Sequence, residues 1–113
     1  MPVDSTRRRF ERVPFFTNVT LSPSQGLPLE GRTIDISFGG VRVVCPKPLP
    51  VGQLVTITFH LTTPSGMAAK TEQVIGRIVN LQVDVDATAM GLEFVAPLNE
   101  KSTPLLVRAI ERL

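Results

Sequence analysis

The sequence predicts an all-β fold: a small six-stranded antiparallel β-barrel with a mobile N-terminal arm and a short C-terminal helix. Three observations predict it. Runs rich in Val, Ile, Thr and Phe alternate apolar and polar residues with period two, the pattern of strands with one buried face. Clusters of Pro, Gly, Ser and Asp separate these runs by short turns. Only the last residues change to three- and four-residue steps. About six strands with short turns and one terminal helix suit a closed antiparallel sheet. The 113 residues make one domain, with an arm at 1–13, a barrel at 14–96 and a helical end at 97–113.

Residues up to Val13 show no apolar period, and Pro14 marks the entry to the folded part. Phe15, Thr17, Val19 and Leu21 alternate with Phe16, Asn18 and Thr20 as a first strand. A loop at 22–26 leads to a second strand, Leu29 to Ile36, which Glu30 and Arg32 interrupt. A turn at 35–40 precedes a third, Val41 to Cys45, and three prolines make the stretch from Cys45 to Gly52 a connection. The clearest strand is Leu54 to Leu61, with Val55, Ile57, Phe59 and Leu61 on one face. Gln73 to Val83 is a long strand in which Gly76 marks a bulge or a close contact. Asp84-Val85-Asp86 reads as a solvated hairpin end, and Ala89 to Phe94 as the last strand. Thr103 can cap a helix that has Pro104 in its first turn. Leu106, Ala109, Ile110 and Leu113 then form its apolar stripe. A helix so short needs a surface to pack on.

Composition excludes several classes. With 42% hydrophobic and 19% charged residues the chain is neither a disordered tail nor a membrane segment. It shows no apolar run of spanning length and no secretory leader, which points to a cytoplasmic protein. The single cysteine, Cys45, reads as a small buried residue. The single histidine, His60, reads as a surface-facing strand residue, with no companions for a zinc site or a nucleophile triad. Nothing in the sequence forms a catalytic constellation, so the reading is a binding module and not an enzyme.

Two stretches carry chemistry. In Asp35-Ile36-Ser37-Phe38-Gly39-Gly40 the spacing is D-x-S-x-x-G. Taken alone this is turn chemistry, since Asp and Ser bond nearby amides and Gly tolerates unusual backbone angles. Upstream lies Arg7-Arg8-Arg9-Phe10-Glu11-Arg12, in which Arg8 and Arg12 stand in the spacing R-x-x-x-R. Four of the twelve basic residues fall in these six positions, and all four are Arg. Arginine forks suit phosphates and guanine edges and stack on flat rings. The rest of the chain is close to neutral, which favours a compact anionic partner.

The two spacings together, in this order and on a strand-rich chain of this size, resemble the PilZ family of cyclic di-GMP receptors. The resemblance covers nearly the whole chain. It implies a bacterial second-messenger receptor that binds cyclic di-GMP, with no other cofactor. Arg8 and Arg12 would clamp the ligand from the arm, and Asp35, Ser37, Gly39 and Gly40 would shape the barrel surface beneath. Arg7, just before the R-x-x-x-R unit, implies capture of two stacked ligand molecules. The chemistry fits: Asp accepts from a guanine edge, Ser bonds a phosphate or base, and Gly admits the ligand to the backbone. The implied function is an adaptor whose arm folds over the ligand and presents a changed surface to a partner protein. Two other readings stand beside it. One is a small barrel for single-stranded nucleic acid, disfavoured because Trp and Tyr are absent and Arg32, Arg42 and Arg77 stand alone. The other is an interaction domain that binds no ligand.

Overall fold

The computed structural model describes residues 11–62, 66 and 69–111. The strands are β1 Val13–Pro14, β2 Asn18–Pro23, β3 Leu29–Ile36, β4 Gly40–Cys45, β5 Leu54–Thr62, β6 Ala69–Val83 and β7 Thr88–Phe94. One helix follows, α1 Pro104–Glu111. All pairings are antiparallel, and β3 pairs with β4 as well as β2. The cycle β3-β2-β5-β6-β7-β4 therefore closes, and six strands form a barrel as the sequence predicts. Closure removes the exposed edges that an open sheet would present.

The seventh strand corrects the expected start of the barrel. Val13 and Pro14 pair with Ile36 and Asp35, so the arm ends before Val13. Because β4 holds the other edge of Asp35 and Ile36, β1 lies in line with β2 along β3. The expected strand from Phe15 is broken between them. Pro14 has no N–H for the ladder; backbone bonds persist from Phe15 N–H to the Ile34 carbonyl at 3.0 Å and from Thr33 N–H to the Thr17 carbonyl at 2.9 Å, and a side chain fills the gap between them. The buried Thr33 hydroxyl donates to the Phe15 carbonyl at 2.6 Å and accepts the Thr17 N–H at 2.8 Å.

The period-two faces turn inward as expected. Val55, Ile57 and Phe59 of β5 meet Val19 and Leu21 of β2, Val41 and Val43 of β4, and Met90 and Leu92 of β7 in one buried core. At Gly76 the reason for glycine is close contact, since an added Cβ would lie 2.8 Å from Ile57 Cδ1. The bulge lies further along β6, where the register against β7 slips between Ile78 and Asn80.

The helical end is shorter than residues 97–113, with regular helix beginning at Pro104; Leu113 lies outside the described residues. Leu106, Val107 and Ile110 bury against the core. Thr103 does not cap through its side chain, because its hydroxyl bonds the Asn99 backbone at 2.9 and 3.0 Å. The cap comes from β6 instead. Buried Glu72 accepts the Leu105 N–H at 2.8 Å and the Leu106 N–H at 2.9 Å. These are orphan donors at the positive end of the helix dipole, so a carboxylate satisfies them and complements the charge. The first turn holds no acid of its own.

Among the described residues no helix is long and apolar enough to cross a membrane.

Candidate ligand-binding site

The D-x-S-x-x-G stretch forms the turn between β3 and β4. Ser37 N–H donates to the Gly40 carbonyl at 2.8 Å and closes the turn. The Ser37 hydroxyl accepts the Gly39 N–H at 3.2 Å, and the side chain is buried. The turn is tied to its surroundings at two points. Phe94 N–H donates to the Gly39 carbonyl at 2.8 Å, and Leu98 N–H to the Phe38 carbonyl at 3.1 Å. Gly40 starts β4 where no side chain fits, because an added Cβ would lie 2.5 Å from the Leu92 carbonyl oxygen. The same point is 3.6 Å from Arg12 Nη2, so the arm's last arginine reaches over this glycine.

Asp35 points outward beside the turn. Its Oδ1 accepts from Arg12 Nη1 at 2.8 Å, and its side chain is 19% exposed against 41% for Arg12. The structure thus brings Arg12, Asp35 and Gly40 together although 23 residues separate the ion pair. Ser37 and Gly39 sit in the turn behind them. Arg7 and Arg8, named from the sequence, lie outside the described residues.

One residue that the sequence reading set aside belongs here. Arg42 does not stand alone: it is the register partner of Asp35, and its Nε lies 3.9 Å from Asp35 Oδ2. The signal was present in the hairpin, since residues 35 and 42 are symmetric about the turn at 38–39. A groove of about 490 Å³ runs along the outside of the same strand pair, with Phe16, Ile34 and Val44 among its lining.

The other reactive side chains lie elsewhere. Cys45 is buried, and desolvation pushes its thiol up to about 11, far from thiolate chemistry at neutral pH. His60 faces solvent on β5 and its Nε2 lies 2.8 Å from the Thr20 hydroxyl, which donates to Glu30 at 2.6 Å. Among the described residues no group of three or more His, Cys, Asp or Glu could hold a metal.

Comparison with known proteins agrees with the fold. The family model described as "PilZ domain" matches residues 6–112. The structure of the Bacillus subtilis inhibitor of motility, MotI/DgrA, is similar with a TM-score of 0.71 at 20% identity, over 94% of this chain and 51% of that one. The PilZ domain of YcgR from Escherichia coli, determined with c-di-GMP, gives 0.67 at 17% identity, over 94% and 92%. The PilZ domain of CeSA from a cellulose-synthesizing bacterium gives 0.60 at 20% identity, over 90% and 96%. At these identities the three structures speak for the fold alone. A search of curated protein sequences finds no match. With a closed six-stranded barrel, the D-x-S-x-x-G turn set against an arm arginine, and a family model spanning almost its full length, the chain belongs to the PilZ domain family.

Proposed function

We propose that the protein is a cyclic di-GMP receptor that acts as an adaptor and not as an enzyme. The observation that carries this reading is the meeting of Arg12, Asp35 and Gly40 at one outward-facing turn. Asp35 offers acceptors to the N1–H and amino group of a guanine, and Arg12 offers a forked donor and a flat stacking surface. Without ligand the two groups neutralise each other. Ligand divides them: the base takes carboxylate acceptors, and the guanidinium gains a phosphate or a base edge. The pair is partly exposed, so separating it costs little, on the order of 0–1 kcal/mol.

Arg7 and Arg8 complete the cationic clamp in this reading, with two ligand molecules per chain. The arm then presents a changed surface to a downstream protein. The nucleic-acid reading loses support, because Phe16 is the one strongly exposed aromatic among the described residues and a stacking platform needs several. Calorimetric titration tests the proposal. Saturable binding of cyclic di-GMP is expected, with GTP, cyclic di-AMP and a single-stranded oligonucleotide at least tenfold weaker (about 1.4 kcal/mol). Equal binding of all four, or none, sinks it.

A further inference from the structure

Arg42 lies outside both spacings that define the site, yet its setting gives it a task there. It projects outward from β4 at the register position of Asp35. Its side chain is 51% exposed, and among the described residues its one ion-pair partner within 4 Å is Asp35. At 3.9 Å from Oδ2 this contact is beyond hydrogen-bond length, so the guanidinium keeps its donors for something else. On its other side the register partner on β7 is Gly91. The Asn80 carboxamide packs over that glycine, within 2.8 Å of where a Cβ would stand. Arg42 therefore stands on the outer face between the Asp35 carboxylate and the Asn80 carboxamide.

The order of groups matters. Reading across the sheet, the carboxylate of Asp35 presents acceptors and Arg42 presents donors immediately beside it. A guanine edge presents its amino group and N1–H as donors, and then O6 as an acceptor. The two sequences of groups are complementary. An adenine edge presents an unprotonated N1 and a 6-amino group, which sets acceptor against carboxylate and donor against guanidinium.

We propose that Arg42 is a specificity-determining residue that donates to guanine O6 while Asp35 accepts from the same base. The inference rests on the proposed function, since it names a new contact in that site. Arg42→Met keeps most of the stem and removes the fork. The test is competition binding of cyclic di-GMP and cyclic di-AMP, carried to millimolar concentration, for the full chain and this variant, with melting temperatures for both. The expected result is a loss of about tenfold in cyclic di-GMP affinity, no loss for cyclic di-AMP and an unchanged melting temperature. If the wild type binds cyclic di-GMP and the variant matches it, or if both ligands weaken in parallel as for a phosphate contact, Arg42 has no part in base selection. If the wild type itself does not bind cyclic di-GMP, the receptor reading fails and Arg42 loses its ligand with it.

Discussion

Arg12 and Asp35 form the ion pair at the centre of the candidate site, and its partial exposure lets binding be tested apart from stability. Arg12→Ala removes a partly exposed ion pair, so the melting temperature should hardly move. Cyclic di-GMP affinity should fall at least tenfold, because a forked arginine contact to guanine is worth roughly 1–3 kcal/mol. A large drop in melting temperature with unchanged affinity would make Arg12 structural. Gly40→Ala, unlike Arg12→Ala, should cost stability, because its Cβ meets the Leu92 carbonyl oxygen at 2.5 Å and backbone must shift. Overpacking of this kind costs about 1–3 kcal/mol, readable in a denaturant titration. The outward acid and the turn glycines were legible as residues because their spacing is local. Arg42 was not, because its partner is set by hairpin register and not by neighbours in sequence.

At the scale of elements, the buried faces were readable because period two survives in β5 without interruption. The break between β1 and β2 was not, since it depends on Thr33 from the neighbouring strand bonding across it. The cap of α1 is a stronger case: Glu72 precedes the amides it holds by more than thirty residues, and only the closed barrel brings them together. Glu72→Ala should expose the Leu105 and Leu106 amides to hydrogen exchange and destabilise the fold by about 0.5–2 kcal/mol. Unchanged protection of those two amides would show that packing of Leu106 and Ile110 holds the helix unaided. The arm is the element expected to respond to ligand. Fixing backbone costs roughly 1–2 kcal/mol per residue, which phosphate countercharge can offset. Amides of Arg8 to Arg12 should gain protection on addition of cyclic di-GMP, while those of Leu54 to Leu61 stay as they were. Equal protection in both states would move the output away from the arm.

For the whole molecule, a closed sheet with a continuous core is a rigid platform that leaves little room for ligand-driven rearrangement. In the proposed function the response to ligand is then expected at the surface around the β3–β4 turn, where Arg12 meets Asp35. The measurement that tests this most directly is a map of backbone amide chemical shifts during titration with cyclic di-GMP. The account predicts saturable changes at Arg12, at Asp35 through Gly40 and at Arg42, with Phe59 and His60 on β5 nearly still. No change at saturating ligand, or changes centred on Glu30 and Arg32 near the start of β3 and on His60 of β5, would contradict it.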